Sequence, residues 1–131
     1  MKDLLWEPGL AIGVEEIDEQ HRTFLRMALE LHQALVGAPF QEFLRTRLHT
    51  VEGLRRYVDT HFATEEAYMA RVRYPGLAEH RRLHEDFASR VRGFEAGLAQ
   101  GGAVLGSELM REMIVWFRQH IADEDQKLKT A

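Results

Sequence analysis

Three breaks decide what this chain can fold into. Gly37-Ala38-Pro39, Tyr74-Pro75-Gly76 and Gln100-Gly101-Gly102 each bring together residues that end a helix. Between them, apolar residues recur at spacings of three and four, the signature of a helix with one buried face. The first segment begins near Asp18, a candidate N-cap, and carries Phe24-Leu25, Ala28, Leu31-His32 and Leu35. The second covers about residues 40–73, through Phe43-Leu44, Leu48, Val51, Leu54, Val58, Phe62, Met69 and Val72. A third, from about Leu77 to Leu98, runs through Leu83, Phe87, Val91 and Phe94. The fourth, about residues 105–122, runs through Leu109, Met113, Trp116-Phe117 and Ile121. Pro8-Gly9 and Gly13 punctuate residues 1–16 and predict an irregular arm. Nothing alternates as a strand would, and no segment repeats. The expected architecture is all-α: an up-down-up-down antiparallel four-helix bundle with an irregular N-terminal arm. With 131 residues, 45% of them apolar, one core and one domain over 1–131 are expected.

Composition removes several functions. No apolar run reaches the 18 residues of a membrane span. MKDLLWEPGLAIGVEE carries one Lys and then acidic residues, unlike a signal peptide, so a cytoplasmic location is expected. Without Cys there is no disulfide, thiolate site or thiol nucleophile. The 21 acidic and 17 basic residues leave a net charge of −4, and pairs such as Arg55-Arg56 and Arg81-Arg82 read as solvated helix faces. Nucleic acid is not an expected partner, since that needs a basic face.

The unusual residue is histidine, with seven in the chain. His61 lies on the inward stripe of the second helix, with Glu65 one turn later on the same face. His80 and His84 repeat that spacing on the third. His120 sits on the fourth beside Trp116, Phe117 and Ile121, with Asp125 five residues on, and His21 opens the first. Each helix thus turns an imidazole or carboxylate towards the bundle axis. Burying five imidazoles and two carboxylates without a counter-charge is very costly. A metal resolves the cost by making those groups ligands. Seven ligands are too many for one ion and suit two. Imidazole with carboxylate and no thiolate fits iron, manganese or zinc, and two carboxylates can bridge a metal pair. Two divalent ions against two carboxylates leave net positive charge, so a bridging oxide or hydroxide is expected.

The other histidines read differently. His32 lies three turns beyond His21, ~16 Å along the helix, too far to join the same pair. His49 lies off the stripe and reads as a surface residue.

The spacing of the last pair carries its own demand. At ~100° per residue, five residues rotate Asp125 by about 140° from His120. Both cannot serve one metal pair from a regular α-helix. A wide π-type turn or a loosened helix is therefore expected between them.

These motifs resemble those of the hemerythrins, specifically the single-domain bacterial type. The matching residues are Trp6, Gly13 and Ile17-Asp18-Glu19-Gln20-His21, then His61-Phe62 with Glu65, His80 with His84, and Trp116 with His120-Ile121 and Asp125. The resemblance covers nearly the whole chain and implies a non-haem di-iron centre, two Fe ions with an oxo or hydroxo bridge. By that likeness His80, His84 and His120 hold one iron, His21 and His61 the other, and Glu65 and Asp125 bridge them. The second iron has one protein ligand fewer and an open position for dioxygen, or for azide and other small anions. Phe24, Phe62, Trp116, Phe117 and Ile121 then form core and also a dry wall around that position, which hinders water and protons. One departure is the 40-residue gap from His21 to His61, which predicts extra turns or a loop around Gly37–Pro39.

The expected function is reversible dioxygen binding, for carriage, storage, delivery or sensing, by a non-enzyme. A monomer is expected, with an O₂-using enzyme as a possible recipient. One alternative is a di-iron oxidase or peroxidase, but those use Glu-x-x-His ligation that this site lacks. Another is an iron-handling or iron-cluster-repair protein, which commonly carries Cys or further domains.

Overall fold

In the computed structural model, residues 4–100 and 106–130 are described. Four helices follow the predicted order: α1 Glu15–Gly37, α2 Phe40–Arg71, α3 Leu77–Ala99 and α4 Gly106–Trp116. The chain continues from α4 as a π-helix over Phe117–Glu124 and a 3-10 turn over Asp125–Thr130. No strand occurs among the described residues, and no helix among them is long and apolar enough to cross a membrane. Short connections, residues 38–39 and 72–76, join α1 to α2 and α2 to α3. α1 packs against α2 and α4, and α2 against α3. The Gly101-Gly102 part of the third expected break lies outside the described residues.

The long gap between His21 and His61 is absorbed as helix. α1 runs on to Gly37, and α2 restarts at Phe40 after only Ala38 and Pro39. Pro39 has no N–H to donate and disfavours helix in the residue before it, which breaks the two helices apart in so short a space. The added length lies at the end of the bundle away from the histidines. There the expected stripe weakens, with Leu35 38% and Leu48 49% exposed. The inward positions of α2 at this level are Thr50, Val51, Gly53 and Leu54. α4 approaches closely here, since a Cβ on Gly106 would stand 2.6 Å from the Phe43 ring.

The start of α1 corrects one expectation. Asp18 is not the N-cap: the helix begins at Glu15 behind Val14. Asp18 is buried in the first turn, where it accepts the Ile12 N–H at 2.8 Å and the Gly13 N–H at 3.2 Å. A carboxylate near a helix N-terminus also meets the positive end of its dipole. Gly13 turns the arm back with φ 96°, a conformation that strains any residue with a Cβ. The arm is irregular, as expected, but pinned. It holds one 3-10 turn, Pro8–Leu10, and Leu10 O accepts from Gln126 Nε2 at 3.1 Å. Asp18→Ala strands a buried backbone donor, so we expect a loss of about 1–3 kcal/mol and a Tm lower by roughly 5–10 °C in a thermal melt.

The buried residues form two groups. The main core runs from Leu31, Val51 and Leu109 up to Phe62, Phe87, Trp116 and Ile121. A smaller group of Ile12, Ile17, Met69 and Leu128 closes the other side of the histidine layer. The polar layer is therefore enclosed between apolar residues above and below.

Candidate metal centre

The seven side chains singled out by spacing meet in that layer. His21, His61, Glu65 and Asp125 are fully buried, and His80, His84 and His120 are 2% exposed. α1 supplies His21, α2 supplies His61 and Glu65, α3 supplies His80 and His84, and the π-helix supplies His120. Asp125 stands at the first position of the closing 3-10 turn. The wide turn demanded by the five-residue spacing is present: Phe117–Glu124 is π-helical. At more residues per turn, the interval between His120 and Asp125 comes closer to one full turn, so both face inward. His120 Nε2 lies 3.0 Å from Asp125 Oδ1.

The donor atoms sort into two groups, and the carboxylates divide between them. Glu65 Oε1 lies 2.7 Å from His80 Nε2, 3.1 Å from His84 Nε2 and 3.7 Å from His120 Nε2. Asp125 Oδ1 lies 2.9 Å from His80 Nε2. On the other side, Glu65 Oε2 is 3.1 Å from His61 Nε2 and 3.5 Å from His21 Nε2. Asp125 Oδ2 is 3.0 Å from His21 Nε2. Glu65 turns one oxygen to three imidazoles and the other to two; Asp125 turns one oxygen to His80 and His120 and the other to His21. The two groups are Glu65, His80, His84, His120 and Asp125, and His21, His61, Glu65 and Asp125.

Hydrogen bonding accounts for only part of these contacts. In the smaller group His21 Nε2, His61 Nε2, Glu65 Oε2 and Asp125 Oδ2 are all buried without a hydrogen-bond partner, despite their closeness. Buried polar atoms are rarely left so. In the larger group His80 Nε2 and His84 Nε2 both converge on Glu65 Oε1, and His84 Nε2 and His120 Nε2 face one another at 3.2 Å. Atoms that converge on a point instead of on each other are what a cation needs. Ligands about 2.1 Å from one ion stand about 3 Å apart at right angles, close to the separations found. The residues present therefore fit a pair of cations with nitrogen and oxygen preference.

Without a cation, protons must share the layer. Burial alone lowers His21 and His80, but the adjacent carboxylates of Asp125 and Glu65 outweigh it and raise both to about 9. His120 rises by the same competition. Burial prevails at His61, which is lowered. Burial raises both carboxyls, yet the surrounding imidazoles hold Glu65 and Asp125 well below the usual range. Both carboxylates are thus ionised and ready to ligate.

Further contacts orient the imidazoles from behind. His61 Nδ1 pairs with Gln20 Oε1 at 2.6 Å, and Gln20 Nε2 donates to Thr64 Oγ1 at 3.3 Å. His84 Nδ1 pairs with Glu66 Oε2 at 2.8 Å, and Glu66 in turn meets Arg81 at 3.0 Å. Such partners fix the tautomer and aim Nε2 inward. Sequence reasoning gave Glu66 no role, although it adjoins Glu65 and one residue rotates it by about 100° towards α3. It also passed over Tyr57, one turn before His61 on the same stripe.

The five expected wall residues are all buried: Phe24, Phe62, Trp116, Phe117 and Ile121. Phe62 lies flat on His84, centroids 3.9 Å apart, and Trp116 lies flat on His120 at 3.9 Å. Both therefore cover the larger group directly. Phe24 packs on Tyr57 at 5.1 Å and on Phe87 at 6.5 Å. His32 is half-buried and His49 exposed, both apart from the layer.

Comparison with known proteins agrees with this arrangement. Residues 12–131 match the family model described as hemerythrin HHE cation binding domain. The chain belongs to the hemerythrin family. It is similar to the bacteriohemerythrin of Stenotrophomonas maltophilia (strain R551-3), 33% identical over 130 residues, which span 94% of this chain and 77% of that one. The bacteriohemerythrin of Pseudomonas aeruginosa (strain LESB58) is 31% identical over 125 residues, 95% of this chain and 78% of the relative. The bacteriohemerythrin of Clostridium acetobutylicum is 24% identical over 126 residues, 94% and 96% of the two chains. No solved structure gives a significant match. Family membership and the buried donor set together point to iron at this site.

Proposed function

We propose that this hemerythrin is a single domain that holds two irons and binds dioxygen reversibly, as a binding protein and not an enzyme. The supporting observation is the division of the two carboxylates, each turning one oxygen towards the group of His80, His84 and His120 and the other towards the group of His21 and His61. His80, His84 and His120 would hold one iron, His21 and His61 the other, with Glu65 and Asp125 shared. A ferrous pair held there would supply the electrons for reversible dioxygen binding. The smaller group has one side chain fewer, so an ion held there would have room for a small ligand.

The protein's own part is to keep that exchange reversible. Imidazoles outnumber carboxylates by five to two, and fewer anionic ligands favour the ferrous state over high-valent chemistry. The apolar residues on either side exclude water and protons. Gln20 and Glu66 keep Nε2 of His61 and His84 turned inward.

The first test is metal analysis with azide titration of the iron-loaded protein. Two irons per chain and azide-induced charge-transfer bands are expected; one iron, or no band, contradicts the reading. Replacing Phe62 or Trp116 with Ser exposes His84 or His120 to water, and autoxidation in air should speed up severalfold. Variants that stay oxygenated as long as the parent would remove the dry wall from the account.

A further inference from the structure

Tyr57 belongs to neither donor group, yet it touches both through its neighbours. Its ring lies nearly parallel to His61, centroids 4.7 Å apart and planes at 17°. Its hydroxyl oxygen accepts the indole N–H of Trp116 at 3.2 Å. Trp116 in turn lies flat on His120. The phenol is therefore strung between one imidazole of each group.

The contact with Trp116 fixes the oxygen but uses only its lone pair. Among the described residues, none accepts the phenol's own proton. Tyr57 is 5% exposed, and a buried tyrosine hydroxyl normally finds an acceptor. Its ring neighbours Phe24 at 5.1 Å and Phe62 at 5.5 Å offer none. The layer holds a donor with nothing to donate to, beside the group that has one ligand fewer.

A route leads to this hydroxyl-bearing ring. Between α1 and α2 the surface opens into a cleft of about 160 Å³ whose walls include Gln20, Thr23, Met27, Gly53 and Tyr57. A water occupies about 30 Å³ of liquid, so the cleft admits molecules of two or three atoms. Two of its wall residues, Gln20 and Tyr57, also contact His61. Gly53 leaves the thioether of Met27 room to lie across the cleft, since a Cβ there would stand 2.5 Å from Met27 Sδ.

We propose that Tyr57 is the hydrogen-bond donor of the small-ligand site beside His61, reached through the α1–α2 cleft. It favours ligands that accept a hydrogen bond, such as azide or dioxygen that has drawn charge from the metals, over those that do not. This rests on the binding reading above and adds the residue that selects the ligand. Two neighbouring donors point their protons elsewhere: Trp116 at Tyr57, and Gln20 at Thr64.

The test uses the iron-loaded full chain with azide as probe. In the parent, the azide stretching frequency is expected to shift between H₂O and D₂O. Tyr57→Phe keeps the ring and its stacking; it should retain the parent's iron content, lose that shift and bind azide about tenfold more weakly. Met27→Trp fills the cleft and should slow azide association and dissociation together, leaving affinity unchanged. A parent without the isotope shift, or a Tyr57→Phe protein with the shift and the affinity intact, would overturn the donor role. Unchanged rates in Met27→Trp would overturn the route. A parent that holds two irons but takes up no azide contradicts the binding reading, a failure distinct from these.

Discussion

Glu65→Ala and Asp125→Ala are each expected to cost the protein most of its iron, whereas His32→Ala keeps the parent's content. Each carboxylate presents one oxygen to each donor group, so with two ions bound its loss would remove a ligand from both at once. Losing a residue that merely hydrogen-bonds behind a ligand costs roughly 10–100-fold in metal affinity, and losing a shared ligand should exceed that. The metal-free variants should also be less stable than the metal-free parent. His21 and His80 are held protonated by Glu65 and Asp125, and removing one partner leaves buried positive charge, at a cost of about 3–5 kcal/mol. Iron content per chain and denaturant unfolding of the stripped proteins check both parts. Equal iron in all three variants would refute the shared-ligand geometry.

The second large effect is a difference in pH response between stripped and loaded protein. His21 and His80 are raised from 6.5 to about 9 in the absence of a cation. A raised folded-state pKa adds stability that is complete below the unfolded value and disappears as pH climbs through the folded value. Glu65 and Asp125 are lowered, so their contribution is complete above the ordinary carboxylate range and disappears in acid. The stripped protein should therefore be most stable near pH 5–6 and weaken between about pH 6.5 and 9. For His21 alone the loss is on the order of 3 kcal/mol. Loaded protein should respond in the opposite sense, because metal binding needs neutral imidazoles and releases protons. The gap in Tm between the two forms should widen steadily from pH 6 to pH 9. Parallel curves would mean that the buried imidazoles do not carry the protons assigned to them.

Much of this site was legible because helical spacing turns directly into shared faces. His61 with Glu65 and His80 with His84 needed only the four-residue interval. The π-helix was legible for the opposite reason: five residues between His120 and Asp125 do not fit an α-helix, and the backbone widens over Phe117–Glu124. What stayed hidden depends on tertiary contacts. Asp18 looked like a cap because capping residues often precede apolar stripes, yet its partners are Ile12 and Gly13 in an arm whose path local sequence does not set. Leu48 sits in the α2 stripe, but at its level the bundle turns Val51 and Leu54 inward instead. Glu66 became meaningful only once α3 brought His84 to within 2.8 Å, and Tyr57 only once Trp116 reached it from α4.

The central claim is reversible binding of dioxygen, and an optical spectrum tests it most directly. Protein loaded with ferrous iron without air should show no visible bands. On exposure to air it should gain charge-transfer bands, and on removal of oxygen it should lose them, through repeated cycles without loss of iron. Bands that persist once oxygen is removed, or iron-loaded protein that never develops them, would contradict the account.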